Sequence, residues 1–393
     1  MRLAVLTTHP VQYHAGWFRA LAKHPGLDLE VLYCHQATPK EQAAAGFGVE
    51  FQWDVPLFDG YSYRFLKNVA RDPQVNHFLG LDTPEIKEIL TNNHFDAVMV
   101  NGWHYKSAWQ AMRACWHTGT PVLARSDSHL HTARHAAKRL AKWPFYRWFI
   151  PKLDGCLPVG KWSRDYFLNF GARPDRIFTV PHVVDTAYFQ RESEGLRAQR
   201  DVLRAGWNLD VKATIFLFAG KFTEVKRPLD FVHAIGDAAR RGSSVAGLMA
   251  GDGPERAGCE DFARNNNIPI SFTGFLNQSE IARAYVAADA LVLPSETETW
   301  GLVVNEAMAC GIPCFVSDQV GCGPDMIVPN ETGEIFPVGD VDRLTSLLDL
   351  IASDQNRLAR MSRPSRKKAE EYSVESAVSS VMKAVSAVCS QTL

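Results

Sequence analysis

Short apolar runs recur along the whole of this 393-residue chain, and stretches of helical spacing separate them. A strand buried on both faces reads as a continuous apolar run, and strands alternating with helices build a parallel sheet. In the first half the runs are Leu3–Thr7, Leu27–Tyr33, Ala97–Val100, Val122–Ala124, Gly155–Val159 and Ile177–Val180. In the second half they are Thr214–Ala219, Ser244–Ala250, Ile268–Thr273, Ala290–Pro294, Cys314–Ser317 and Gly333–Phe336. The chain is therefore expected to be α/β, and its length suits two domains of roughly 150–200 residues, each with its own core. Between Phe189 and Val211 the sequence turns polar and charged, as in Gln190-Arg191-Glu192-Ser193-Glu194-Gly195, which marks a linker. The expected domains are 1–188 and 210–370, followed by a tail, 371–393, with a helix near Val374–Cys389.

The most informative stretch begins at the run Ala290-Leu291-Val292-Leu293-Pro294 and continues through a polar loop into an apolar helix. Gly311 ends that helix and Pro313 prevents it from restarting. Glu298 lies in the loop and Glu306 about two helical turns later. Both carboxylates can face a ligand at the C-terminal end of the strand, where open α/β sheets bind ligands. The free amides of Gly301, Leu302 and Val303 at the helix start form an anion site. Vicinal hydroxyls at both ends of a ligand with a diphosphate between them would satisfy this set, which describes a nucleotide sugar.

The string from Ser295 to Pro313, with Glu298 and Glu306 bracketing Trp300-Gly301-Leu302-Val303, resembles the donor-site signature of retaining family-4 glycosyltransferases. Further landmarks follow the family order. Gly220-Lys221-Phe222-Thr223-Glu224-Val225-Lys226 resembles the motif whose two basic residues grip the donor diphosphate, and Arg227 lies beside it without matching. Gly251-Asp252-Gly253-Pro254-Glu255 resembles the turn that meets the donor through backbone, Gly253 included. Phe272-Thr273-Gly274-Phe275-Leu276, with Gly274 and Phe275, resembles the segment that lines the base pocket.

The resemblance implies the GT-B architecture, two Rossmann-like doubly wound domains facing a central cleft, with the last helix packed back on the first domain. It implies that Glu298 holds donor-sugar hydroxyls and Glu306 the ribose. It also implies that Lys221 and Lys226 stabilise charge on the leaving diphosphate, usually the largest catalytic contribution. Retention without a protein nucleophile comes from the resemblance alone. The donor would be UDP- or GDP-linked and the acceptor a glycan, a lipid-linked molecule or a small molecule. A nucleotide-sugar epimerase of the same fold and a non-catalytic nucleotide-sugar-binding subunit are the rivals. A Rossmann dehydrogenase is the weakest rival, because no Gly-x-Gly-x-x-Gly follows the first strand.

On the acceptor side, His9, Gln12, Tyr13, His14 and Gly16 follow the first strand, where family members commonly carry a Gly-Gly loop. His104 follows the strand Ala97–Val100. Family members often place a histidine near the anomeric carbon after the strand Val122–Ala124. A gapless match puts Asp127 at that position, with His129 two residues on. The expected order for that group is His129 first, His104 second and His9 third.

No cofactor or metal is expected. His129, His131 and His135 have zinc-like spacing without a fourth ligand, and Cys310, Cys314 and Cys322 span a helix end, a strand and a loop. Asp340-Val341-Asp342 reads as a helix cap. The eight cysteines lack C-x-x-C pairs and suit a reducing compartment. A net charge of −1 argues against nucleic acid as a partner. The first apolar run is too short for a signal peptide, and no run spans a bilayer, so the expected location is cytoplasmic. Residues 131–152 carry Arg134, Lys138, Arg139, Lys142, Arg147 and Lys152 among aromatics and no acid. Such a segment can lie on an anionic membrane surface or turn its aromatics into the core.

Overall fold

The computed structural model describes residues 1–390 apart from 44, 45, 47 and 132–135. His135 therefore lies outside the described residues. The chain forms two compact units. Unit 1 comprises Met1–Ala37, Pro56–Val183 and the segment from Val374 onward. Unit 2 comprises Thr38–Val55 and Val184–Ser373.

The sheet of unit 1 contains β1 (Arg2–Thr7), β2 (Asp28–Tyr33), β3 (Ser62–Phe65), β4 (Ala97–Asn101), β5 (Val122–Ser126) and β6 (Gly155–Pro158) in the order β3-β2-β1-β4-β5-β6. All its pairs are parallel, with Val5 of β1 opposite Val31 on one side and Met99 on the other. The sheet of unit 2 contains β7 (Thr214–Ala219), β8 (Val245–Ala250), β9 (Ile270–Gly274), β10 (Ala290–Leu293), β11 (Cys314–Ser317) and β12 (Gly333–Phe336). Its order is β12-β11-β10-β7-β8-β9, again parallel throughout. Each unit thus has the doubly wound strand order, which reverses direction between β1 and β4 and between β7 and β10. A ligand crevice belongs outside the C-terminal ends of those strands.

Alternation along the strands divides the core of unit 1 into two layers. Leu3 and Val5 pack with Phe18, Leu21 and Val381 on one face. Ala4 and Leu6 pack with Val98, Met112 and Phe167 on the other. The final helix, Val374–Cys389, contributes Ala377, Val381, Ala384, Val385 and Val388 to the first layer and packs on the helix Gln12–Ala22.

Three local expectations are corrected. Ile177–Val180 is not a strand: Ile177 forms an isolated bridge with Cys156, and two amides continue alongside β6. The sixth strand is instead β3, a partly exposed edge strand with no apolar run to announce it. The polar stretch after Phe189 is helical, in Thr186–Leu196 and Arg200–Gly206, both packed on the helix Ile281–Ala287. Its charges are the polar side of amphipathic helices. Arg204, for example, is buried and donates to Asp289 at 2.7 Å and to the Ala287 carbonyl at 2.8 Å.

Candidate functional site

In unit 2, three loops meet beyond β7, β8 and β10. The turn after β7 rests on the turn after β8 through backbone alone. The Gly220 amide donates to the Ala250 carbonyl at 3.0 Å, and the Phe222 amide to Asp252 at 2.9 Å. Both glycines of the second turn have left-handed backbones, Gly251 at φ 134° and Gly253 at φ 148°. A Cβ on Gly251 would overlap the Gly220 carbonyl, and one on Gly253 would come within 2.6 Å of the Phe222 carbonyl oxygen. These glycines permit close backbone contact.

The loop after β10 is clamped from both sides. The Glu296 amide donates to the Val225 carbonyl at 2.8 Å, and the Gly321 amide to the Glu298 carbonyl at 2.9 Å. The clamp brings the Glu298 carboxylate onto the Lys226 ammonium, and both side chains are mostly buried. Burial and the nearby Lys221 ammonium push the Lys226 amine down to about 8. Burial also lowers Lys221. Two ammonium groups against one carboxylate in a poorly solvated place leave a positive charge that favours a further anion. The helix Leu302–Ala309 starts here, with Gly301 as its N-cap at φ 100°. Its first amides, those of Leu302 and Val303, precede any intrahelical bonding. Arg227 is engaged elsewhere, with Asp230 at 2.6 Å and Glu296 at 3.8 Å.

Glu306 sits one turn into that helix and is only 3% exposed. The Tyr285 hydroxyl, from the helix Ile281–Ala287, donates to it at 2.5 Å. Sequence reading missed Tyr285, because nothing in a short apolar helix marks one tyrosine as a carboxylate's partner. Gly274 has φ 76°, and the Phe275 ring packs on Phe51 of the Thr38–Val55 segment at 4.4 Å. Asn277 donates to the Gln52 carbonyl at 2.8 Å. That segment thus joins the wall at the expected base end, which local pattern could not show.

In unit 1, the C-terminal ends of β4 and β5 open into a cavity of about 980 Å³. Asn101, His104, Asp127, His14, Arg125 and His182 are among the residues that line it. Buried Arg125 donates to the Val180 and Pro181 carbonyls at 3.2 and 2.9 Å and lies over the Trp17 ring at 5.0 Å. Arg125 thereby fixes His182, 3.2 Å from its guanidinium. Burial, Arg125 and His9 push the His14 imidazole down to about 3, and burial lowers His182 as well. Burial lowers His104 while the Asp127 charge opposes it.

His129 does not line this cavity. It is 8% exposed and faces the Trp162 ring at 5.2 Å, with His131 stacked on the same indole at 4.2 Å. Gln12, Tyr13 and His14 form the first turn of the helix Gln12–Ala22, and Gly16 lies inside it. His9 is 3.0 Å from the Thr8 hydroxyl. In the basic aromatic segment, Phe149 and Ile150 are buried, whereas Trp143, Phe145 and Trp148 are exposed. The segment therefore faces both core and surface.

Among the described residues, no three His, Cys, Asp or Glu side chains are placed to hold a metal ion. The Cys310, Cys314 and Cys322 thiols are buried and pushed upward by burial, and each donates to a backbone carbonyl. Asp340 caps the helix Val341–Ala352 by accepting from the Arg343 amide at 2.8 Å. No helix among the described residues is long and apolar enough to cross a membrane.

Residues 16–188 match the model for Glycosyltransferase Family 4, and residues 199–368 match that for Glycosyl transferases group 1. A GDP-mannose-dependent alpha-mannosyltransferase of Mycobacterium tuberculosis is 32% identical over 64% of this chain and 61% of its own length. The N-acetyl-alpha-D-glucosaminyl L-malate synthase of Bacillus anthracis is 28% identical over 52% of this chain and 51% of its own. The chain thus spans about half to three fifths of the length of these relatives. A glycosyltransferase structure from Rickettsia africae shares the fold over 98% of both chains, at a TM-score of 0.76 and 14% identity. With one family model matched in each half and the doubly wound strand order in each unit, the chain belongs to the family-4 glycosyltransferases of GT-B architecture.

Proposed function

We propose that this chain is a retaining glycosyltransferase that moves a sugar from a UDP- or GDP-linked donor held by unit 2 to an acceptor held by unit 1, without a metal. The observation that carries this reading is the Lys226–Glu298 pair, set beside Lys221 and the first amides of the helix Leu302–Ala309. Three elements there converge on one anion-binding point, and the carboxylate on that point is free to exchange its lysine for sugar hydroxyls. Lys221, Lys226 and the amides of Gly301, Leu302 and Val303 take the charge that grows on the diphosphate. Glu306, held by Tyr285, takes the ribose; Gly253, Gly274 and Phe275 shape the base end.

In the transfer, the bond between the anomeric carbon and the diphosphate oxygen breaks, and a bond to the acceptor oxygen forms on the same face. The acceptor proton passes to the leaving phosphate oxygen. His104 and Asp127, which share the cavity of unit 1, are placed to steer that hydroxyl. His129, packed on Trp162, supports the loop from behind.

A cavity of this size in unit 1 favours a transferase over an epimerase, which needs no second substrate. The reaction is assigned to the cytoplasm or the inner face of its membrane. Thermal-shift measurements against a panel of nucleoside diphosphates test the donor site, since a ligand raises stability by mass action. Stabilisation by one diphosphate in the presence of EDTA is expected. If no nucleotide stabilises the chain, or if EDTA abolishes the effect, the reading of unit 2 fails.

A further inference from the structure

The lining of the cavity of unit 1 combines two opposite chemistries. Its polar lining carries buried side-chain atoms that lack a hydrogen-bond partner among the described residues: both amide atoms of Asn101 and Nδ1 of His14. Buried polar atoms in folded chains are nearly always satisfied, so such a group at the edge of a cavity points to a polar ligand. The apolar lining includes Phe78, Leu79, Trp109, Trp116, Phe145 and Trp148. The rings form a continuous wall: Phe145 lies 5.2 Å from Trp109, and Trp148 lies 6.0 Å from Phe145. Several members of the wall are unusually open to solvent. Leu79 is 62% exposed, Trp148 51% and Phe145 45%.

Clustered apolar side chains on a soluble surface mark a binding site. Cations surround this one. Arg113 and Lys142 line the cavity, and Lys152 stands 4.0 Å over the Trp148 ring. Asp127 is the acidic side chain among the described lining residues. Aromatic rings beside lysine and arginine are the composition that suits a lipid–water boundary.

We infer that the acceptor is an amphiphile. Its hydroxyl-bearing head lies against Asn101, His104 and Asp127, and its apolar chain lies along Trp109, Phe145 and Trp148. Negative charge near the chain is met by Arg113 and Lys142. A free sugar would leave the aromatic wall wet, and a purely apolar ligand would leave the Asn101 amide without a partner. This inference rests on the transferase reading, which assigns the acceptor to unit 1. The same chemistry comes either from a dissolved amphiphile or from a lipid in a bilayer.

The test uses the full chain and a series of alkyl β-glucosides below their micelle concentrations, with methyl glucoside as the head alone. Emission from Trp109, Trp116 and Trp148 reports binding. Affinity is expected to rise with chain length, by up to roughly tenfold for each two methylenes buried. Replacing Phe145 and Trp148 together by serine should remove that dependence. Both side chains are about half exposed, so the fold should survive, and nucleoside diphosphate binding by unit 2 is the control. Vesicles of phosphatidylcholine with and without phosphatidylglycerol separate the two sources. Sedimentation with the anionic vesicles, lost in the double variant, assigns the chain to a bilayer lipid. Binding of alkyl glucosides alone assigns it to a dissolved amphiphile. The inference is overturned if affinity does not depend on chain length, or if the double variant behaves as wild type, while diphosphate binding is intact. Loss of diphosphate binding in the wild-type chain would instead indict the donor reading.

Discussion

The Glu298 carboxylate and the Lys226 ammonium, brought from two different strand ends of unit 2, form an ion pair at the N-terminus of the helix Leu302–Ala309. Each residue sits on a loop whose backbone is held by its own hydrogen bonds. Lys226→Ala leaves the mostly buried Glu298 carboxylate without its cation and should cost about 1–3 kcal/mol of stability with the fold retained. Turnover at saturating donor should fall by about 10²–10³, the usual result of deleting one group that stabilises developing charge. A turnover within a factor of two of wild type would place the diphosphate elsewhere.

The depressed Lys226 amine makes donor binding depend on pH in a definite direction. Below about 8 the free chain already carries the proton, so binding takes up none. Above that value the free amine is neutral, while a bound diphosphate restores the ammonium. Binding then consumes a proton, and affinity should fall with rising pH by up to about tenfold per unit. Calorimetry in buffers of different ionisation enthalpy should show proton uptake at alkaline pH and little at neutral pH. Lys226→Gln should flatten the profile; an unchanged slope in that variant would assign the proton to another group. Stability has its own sign. The folded value lies below the ordinary 10.5, so the unfolded chain binds more protons between the two, and stability rises with pH across that window.

Glu306 and Tyr285 form a buried pair, and the two ends of their hydrogen bond should respond differently. Tyr285→Phe leaves a buried carboxylate short of one donor and should cost about 1–3 kcal/mol of stability. Glu306→Ala should weaken nucleoside diphosphate binding by roughly 10- to 150-fold through lost ribose bonds. Chemical denaturation and calorimetry read these separately. Full affinity in a folded Glu306→Ala chain would remove the ribose assignment.

Much of this site was legible because the relevant residues stand directly after strands. Lys221, Glu298, His104 and Asp127 each follow an apolar run, and in a parallel sheet all such positions lie at one edge. What escaped notice depends on pairings across long separations. Tyr285 is unremarkable until the helix beside it presents Glu306. His182 gains meaning only from Arg125, and Phe51 from its packing on Phe275, in a segment that precedes the rest of unit 2 in the chain. Edge strand β3 escaped because half-exposed strands lack the apolar signal of central ones.

The glycines offer a contrast within one chain. Gly251 has a left-handed backbone, and its Cβ position overlaps the Gly220 carbonyl. Gly251→Ala should therefore displace the turn and destabilise unit 2 by more than about 2 kcal/mol. Gly16 lies inside a helix with nothing within 4 Å of a Cβ. Gly16→Ala should stabilise the chain by about 0.5–1 kcal/mol. If that variant also loses turnover, substrate approaches the helix there, as the family's glycine loop implies. Retained turnover leaves Gly16 without a catalytic role.

The acceptor side turns on a choice among His104, Asp127 and His129. His104 and Asp127 line one cavity, where the Asp127 charge opposes the lowering of the His104 imidazole by burial, whereas His129 is packed on Trp162 outside that lining. A group that steers the acceptor hydroxyl typically contributes 10²- to 10⁴-fold, so roughly that loss of turnover is expected for Asp127→Ala or His104→Ala. Neither should move the thermal midpoint far or weaken donor binding, since the donor residues belong to unit 2. His129→Ala removes a buried ring, so its main effect should be on stability, with turnover recovered at lower temperature. Single-turnover rates and melting curves on the three variants distinguish these outcomes. A folded His129→Ala chain with collapsed turnover, beside near-normal Asp127→Ala and His104→Ala chains, would restore the histidine nearest the family's position as the group at the anomeric carbon. In that case the cavity that His104 and Asp127 line would be a site for holding the acceptor and not for its chemistry.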